Sequence, residues 1–320
     1  MFSLKRCLIL SFAFILFSSA AGIASAQVRP PVPRASQKAT VMQTIGTTDM
    51  SITYSRPAVK GRVVYGDWPG EAKGEGTLDN QNTRPPGAPL VPWGHVWRSG
   101  ANEATLFEVN DDVLINGQPL AAGKYSLHSI PGKDDWTFIF NKDDGQWGSF
   151  TYDAAKDALR VKAKPTWVAD SQEILTYTAD APEGDTGTVN LRWEKLSVPF
   201  TVKVKDVTGS TMARLRTYVA EGKPDEWQRP LNAAMYAKQN KLADDAAKWF
   251  DAANKLIDAQ IAVKPTFANY RAKSTILFNA GKTQEAIAAT EKAIELGKAE
   301  KADVAVLEKR AADLKAGKTN

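Results

Sequence analysis

Between about Ala39 and Val204, apolar and polar side chains alternate; beyond Val204 the apolar positions recur every three or four residues. Met50, Ile52 and Tyr54 alternate with Ser51, Thr53 and Ser55, which predicts a strand with one wet face. Val189, Leu191 and Trp193 do the same against Asn190, Arg192 and Glu194. Val198, Phe200, Val202 and Val204 repeat the rhythm, with Lys203 and Lys205 outward, so two further strands are predicted there. Residues 136–140 are nearly apolar on both sides and predict a central strand. Other strands are predicted over 105–109, 113–115, 125–130, 159–163 and 173–178. Asn116-Gly117 suits a tight turn because both residues tolerate positive φ, and Pro131-Gly132 closes another. About nine short strands with such turns predict a mainly β sandwich, with a barrel as the alternative.

Residues 210–316 are rich in Ala, Lys, Glu, Asp and Leu without alternation. Helices are predicted at 210–221, 230–240, 243–260, 265–280, 283–296 and 299–315, the first capped by Ser210. Gly281 and Gly297 stand where helix C-termini favour a left-handed residue. Two hairpins resemble tetratricopeptide repeats: Phe267 to Gly297, with Ala286 and Ala293 at the small positions, and a segment carrying Ala246, Phe250 and Ala253. They depart from the repeat at Ser274, where a small residue is usual, and at Thr290, where a large aromatic is usual. The fold class that follows is a β-sandwich domain over 39–205 and an all-α, tetratricopeptide-like helical-hairpin domain over 206–320.

The remaining segments set the address. Lys5 and Arg6 precede an apolar run from Cys7 to Phe17, and Ala24-Ser25-Ala26 offers the small residues of a cleavage site. Residues 1–26 are therefore predicted to be a signal peptide, too short in its apolar part for a membrane anchor. Cleavage leaves no cysteine, no transmembrane segment and a destination in the periplasm or the medium. Without Lys5 and Arg6 the balance is 39 basic against 36 acidic side chains, which together with the lack of any dense basic block excludes a nucleic-acid partner. Pro30, Pro31 and Pro33 make 27–38 an extended tether. The Gly- and Pro-rich stretch 66–92 is predicted to be a mobile insertion, or a lid with a role.

Polar residues cluster without an obvious folding reason in three runs: Tyr54 to Arg62, Val91 to Arg98, and Ser99 to Thr105. Tyr54-Ser55-Arg56-Pro57, Lys60-Gly61-Arg62, the run from Trp97 to Thr105, the stretch Gly123 to Gly132, and Asn141-Lys142 resemble the motifs of a bacterial family, domain of unknown function 2911. The resemblance covers about residues 35 to 204. It implies no activity, because the family is named for lacking one, and 66–92 makes the segment between Lys60-Gly61-Arg62 and the Trp97 run much longer than is usual.

Arg56, Lys60, Arg62 and Arg98 fall at strand ends and turns, with Asn102 and Glu103 just before a strand. Convergence of these ends would make a cationic rim with one carboxylate, suited to gripping an anionic or glycan ligand, with Trp97 or Trp93 as a stacking face. The competing reading makes Arg98 and Glu103 an ion pair and Asn102 a cap, so that the motif secures a loop. For catalysis, His95 is the best acid–base candidate, with Arg98 and Glu103 as neighbours; a hydrolase or other small-molecule enzyme is the alternative function. His128 reads as a packed or hydrogen-bonded residue. His95, His128 and Glu103 are a weak metal set, and neither metal nor cofactor is expected. Nine tryptophans, of which Trp68, Trp93, Trp97 and Trp147 lie near glycines or prolines, support glycan binding. Helical hairpins present grooves to proteins or peptides, here of the cell envelope. A non-enzymatic binding module is the leading expectation.

Overall fold

A computed structural model describes residues 32–71, 76–78, 84–181 and 184–318. The signal peptide and residues 27–31 of the tether lie outside the described residues, as do 72–75 and 79–83 of the insertion. A β-rich region comes first and a helical region second, and from Ser36 onward the chain is one compact unit.

The strands are β1 (Gln37–Ile45), β2 (Thr48–Arg56), β3 (Tyr65–Gly66), β4 (Val91–Pro92), β5 (Thr105–Val109), β6 (Val113–Ile115), β7 (Gln118–Leu120), β8 (Gly123–Ile130), β9 (Trp136–Asn141), β10 (Asp157–Ala163), β11 (Thr166–Asp180) and β12 (Thr186–Val204). Two antiparallel sheets hold most of them, in the orders β1-β2-β5-β8-β9-β10 and β11-β12-β6-β7. Inward side chains of both sheets form one cluster. Phe200 of β12 meets Phe138 at 4.8 Å and Phe107 at 6.4 Å, and Trp97 stacks on Trp193 at 6.1 Å. Burying each such ring contributes roughly 1.5–3 kcal/mol.

Several strand expectations are corrected. Strand β1 begins at Gln37, inside the expected tether. The two strands expected over 189–194 and 198–204 are one 19-residue strand. Their inward positions change phase, from Val189, Leu191 and Trp193 to Leu196, Val198 and Phe200, because a bulge intervenes. Glu194 sits there at φ +53°, and the β11 register shifts on either side of Gln172. One extra residue in one strand moves the next side chains to the other face, which reads in sequence as a new strand. The 66–92 stretch is anchored at both ends: Tyr65–Gly66 pairs in parallel with Val91–Pro92, and Trp93 stacks on Tyr65 at 5.3 Å. The Asn116-Gly117 turn has φ +46° and +82° and joins β6 to β7, as its composition predicts.

Strand β9 is buried along its whole length. Trp136, Phe138 and Phe140 enter the shared core, while Thr137, Ile139 and Asn141 lie on the opposite face, where Asn141 donates to the Asp153 carbonyl of a covering segment, residues 142–156.

The helices are α1 (Val207–Ala220), α2 (Gln228–Gln239), α3 (Ala243–Val263), α4 (Phe267–Asn279), α5 (Thr283–Ala299) and α6 (Ala305–Lys315), each packed on the next. The first is capped by Asp206, whose carboxylate accepts from the Gly209 amide at 2.8 Å, and not by Ser210. Ser210 lies inside the first turn and donates back to the Val207 carbonyl. Gly281 has φ +77°, the expected left-handed residue after α4. Gly297 is instead helical and buried, because Val304 and Phe267 close on it: an added Cβ would stand 2.6 Å from Val304 Cγ1 and 3.0 Å from the Phe267 ring. Lys301 takes the positive φ, +56°. The two departures from the repeat pattern answer each other, since Ser274 Oγ and Thr290 Oγ1 are hydrogen-bonded at 2.5 Å in the buried α4–α5 contact. Ala253, Ala286 and Ala293 are fully buried, as small residues between close helices must be.

Candidate functional site

The first and third polar runs meet at one corner, where they tie the two sheets together. The Ser55 carbonyl accepts from the Ala101 amide at 3.2 Å, and the Ser99 carbonyl accepts from Thr105 Oγ1 at 2.9 Å and from Tyr177 Oη at 3.0 Å. Tyr54 Oη in turn accepts from the Tyr177 amide, and the two rings meet edge to face at 4.8 Å. Burial, with the Tyr54 phenol beside it, holds the Tyr177 hydroxyl well above its usual pKa, so it serves as a neutral donor. An added Cβ at Gly100 would stand 2.8 Å from Thr105 Oγ1, so glycine is needed for the chain to pass this close.

Several candidate residues are taken up by this construction. Arg56 crosses to the second sheet, donating through Nε to the Leu175 carbonyl at 3.0 Å and through Nη2 to Thr176 Oγ1 at 2.8 Å. Lys60 is exposed at φ +47°, and its backbone amide donates to Glu173 Oε1. Arg62 folds back onto the Val59 and Ala58 carbonyls. Arg98 is 7% exposed, donates to the Asn102 carbonyl and lies under the Phe150 ring at 5.3 Å. Asn102, at φ +61°, donates from its side chain to the Ser36 carbonyl. Trp97 is buried among Trp193 and Trp136, so its faces are occupied by the core. His95 lies on another loop, with Nδ1 at 3.2 Å from the Gly76 carbonyl. Arg56, Arg62 and Arg98 thus serve separate structural contacts, the Lys60 side chain is exposed, and Glu103 lines a cleft.

That cleft has a volume of ≈ 160 Å³ and opens between Lys38 of β1, Thr53 of β2, Glu103, and Asp144 to Gln146 of the covering segment. Glu103 and Trp147 face each other as an isolated antiparallel bridge, flanked by Ala104 N–H to Gln146 O and Gly148 N–H to Asn102 O. This is the non-hydrogen-bonded kind of pair, which brings side chains closest. Trp147 is 37% exposed beside the carboxylate. Gln146 is only 7% exposed, and while its Nε2 donates to the Asp143 carbonyl at 3.3 Å, its Oε1 is buried without a hydrogen bond. Such an acceptor costs about 1–3 kcal/mol.

Residues 36–202 match the model of a family described as a protein of unknown function, DUF2911. The chain belongs to this family. The match contains both sheets nearly to the end of β12 and all the motif runs; the six helices lie outside it. No curated protein and no solved structure matches the chain.

Within the DUF2911 region, the covering segment also shields a buried polar group. His128 of β8 is fully buried, with Nε2 at 2.9 Å from Ser126 Oγ and Nδ1 at 3.0 Å from Ser149 Oγ. Burial, reinforced by the Arg98 guanidinium and opposed by Asp157 and Asp143, lowers its pKa to about 4, so the ring is neutral at ordinary pH. Next to it Tyr152 donates to Asp157 Oδ2 at 2.7 Å, and Arg160 donates to the same oxygen at 2.7 Å. Asn141 Nδ2 holds Asp157 Oδ1 and the Asp153 carbonyl. Burial first, and then the Asp157 hydrogen bond, raise the Tyr152 pKa well above its usual value. This network fixes the segment that carries Asp144, Gln146 and Trp147. Among the described residues no three His, Cys, Asp or Glu side chains are grouped to hold a metal, and no helix is long and apolar enough to cross a membrane.

Sequence reading missed Lys38, Asp144 and Gln146 as cleft residues. Asp143-Asp144-Gly145 has the composition of a solvated turn, and nothing local shows that this turn folds back over the first sheet. Trp147 was legible only as one of several tryptophans beside glycines.

Proposed function

We propose that this chain is an exported, non-enzymatic binding module of the cell envelope. In this reading a β-sandwich domain over 39–205 holds a small polar ligand at the Glu103 cleft, after removal of residues 1–26 for release into the periplasm or medium. The observation that carries it is the cleft itself, lined by the Glu103 and Asp144 carboxylates, the Lys38 ammonium and the hydroxyls of Thr53 and Ser55. Most other polar motif residues have structural partners, so the motif's chemistry is directed to building this corner. The alternative of a hydrolase using His95, Arg98 and Glu103 has less support: the His95 ring is directed at Gly76, whereas Arg98 is sealed beneath Phe150.

Equilibrium dialysis of the mature chain against the small-molecule fraction of envelope extracts, read by mass spectrometry, tests this. Retention of one compound by the native chain but not by Glu103→Gln is expected. Turnover of that compound, lost on His95→Ala, would instead make the protein an enzyme.

The tetratricopeptide-like helical-hairpin domain over 206–320 is the part we assign to an envelope protein or peptide. The repeat resemblance of α3 to α5 and the exposed Val263 and Val306 support that assignment. Photo-crosslinkers at those two positions should capture one stoichiometric partner in cells; diffuse labelling would count against it.

A further inference from the structure

The charges of the helical region are sorted by layer. Lys238 of α2 donates to the Asn279 carbonyl of α4 at 2.7 Å, and Arg310 of α6 lies over the Phe278 ring of α4 at 4.6 Å, so α2, α4 and α6 stand side by side. Behind them α3 packs against α2 and α4, and α5 against α4 and α6. Neither α2 nor α4 contains an acidic residue, whereas α3 contains four and α5 three. Ion pairs between the layers take up the cations that point backward: Lys273 with Asp258 and Lys315 with Glu291, each at 2.6 Å. The Glu308 carboxylate of α6 turns the same way, to Lys298 of α5.

Arg271 and Arg310 are left on the front, and neither makes an ion pair among the described residues. Arg271 is exposed and sits over the Phe267 ring at 5.7 Å. Thr275 follows it by one turn of α4, and Arg310 Nη1 stands 3.5 Å from Thr275 Oγ1, so both guanidinium groups serve one stretch of the face. Val306, 78% exposed, comes one turn before Arg310 on α6, and Asp313 one turn after it. Burial lowers the Arg310 pKa from its ordinary value, yet a guanidinium keeps its charge. It is drawn partly out of water with no carboxylate opposite, and an incoming carboxylate would supply one through a two-pronged hydrogen bond.

On the reading that the helical region docks a protein or peptide, we propose that this face takes an acidic, extended peptide segment. Arg310 and Arg271 grip its carboxylates, and Val306 covers one of its apolar side chains. Two arginines set among Phe278, Thr275 and Val306 make a mixed surface that suits the varied side chains of a peptide. A nucleic-acid backbone or an anionic lipid surface is held by a denser basic tract.

Fluorescence anisotropy of the full mature chain with a set of labelled short peptides is the test. Each peptide mixes Asp and Glu with Leu and Val, and its control replaces every carboxylate by the amide. Saturable binding of acidic peptides is expected, about tenfold tighter than that of their amide controls. Arg310→Gln and Arg271→Gln should each weaken it about five- to tenfold. Lys273→Gln, whose ammonium is already held by Asp258, should change it by less than about twofold. Arg271 is exposed, so its variant keeps the test open if Arg310→Gln does not fold. Equal binding of the amide peptides, tighter binding of single-stranded DNA or of phosphatidylglycerol vesicles, or arginine variants no weaker than Lys273→Gln would each overturn the proposal. If acidic peptides do not bind while a crosslinker at Val306 still captures one partner, the acidic assignment falls and the docking function stands.

Discussion

Arg214 of α1 reaches back to Asp111 in the turn between β5 and β6, with Nη2 at 2.6 Å from Oδ2. The same oxygen accepts from the buried Thr48 hydroxyl at 2.6 Å, and Arg214 Nη1 donates to Thr47 Oγ1 at 3.0 Å. Val207 packs at the same junction, so close to Gly46 that an added Cβ would lie 2.7 Å from its Cγ1. The Asp111 carboxylate is therefore an acceptor shared by the helical region and the β-rich one. Removing Arg214 deletes a half-exposed, charge-assisted contact, whereas removing Asp111 also strands a buried hydroxyl.

Arg214→Ala should accordingly cost about 1 kcal/mol and Asp111→Ala about 2–3 kcal/mol in urea unfolding. Equal losses would show that Asp111 does not serve as the shared acceptor.

Acid should loosen the covering segment through His128. Its folded-state pKa of about 4 lies below the ordinary value of 6.5, so protons bind the unfolded chain more readily. The contribution of the neutral ring is complete above pH 6.5, falls as pH drops toward 4, and is constant below that. The change is on the order of 3 kcal/mol. Unfolding free energies measured between pH 7 and 4.5 should decline more steeply for the native chain than for His128→Gln. Parallel slopes would remove His128 from the account.

At Gly297 two effects oppose. Alanine improves helix propensity by about 1 kcal/mol, but its Cβ meets Val304 and Phe267 at 2.6 and 3.0 Å. Overpacking of this kind costs about 1–3 kcal/mol, so Gly297→Ala should destabilise the helical region on balance. A melting temperature above that of the native chain would mean that α6 moves away at little cost.

Ser274 and Thr290 offer a double-mutant cycle. Ser274→Ala leaves Thr290 bonded to the Ala286 carbonyl and should cost about 1 kcal/mol. Thr290→Val strands the Ser274 hydroxyl and should cost more. The double variant should recover most of the loss, because two apolar groups can fill the space of the bonded pair. Simple additivity in thermal unfolding would contradict this.

The elements were legible wherever burial follows a local period. Alternation marked β2 and the two halves of β12, a continuous apolar run marked β9, Asn116-Gly117 marked the β6–β7 turn, and the three-to-four-residue rhythm marked all six helices. The bulge at Glu194 and the close packing at Gly297 were not legible, since each depends on what lies opposite. The motif runs announced that the corner mattered without saying how. Arginines and tryptophans look alike in sequence whether they grip a ligand or hold a strand, and Arg56, Trp97 and Arg98 hold the fold.

Sequence alone determined the order of strand and helix, the family of residues 36–202, and Glu103 as a residue to examine. Only the tertiary structure decided which side chains stand beside it. Lys38, Thr53, Glu103 and Gln146 come from four separate segments, assembled by sheet register and by the folding back of 142–156 over the sheet. The physical reason is that periodicity records which face of an element leaves water, whereas a site is made by the partners that face meets.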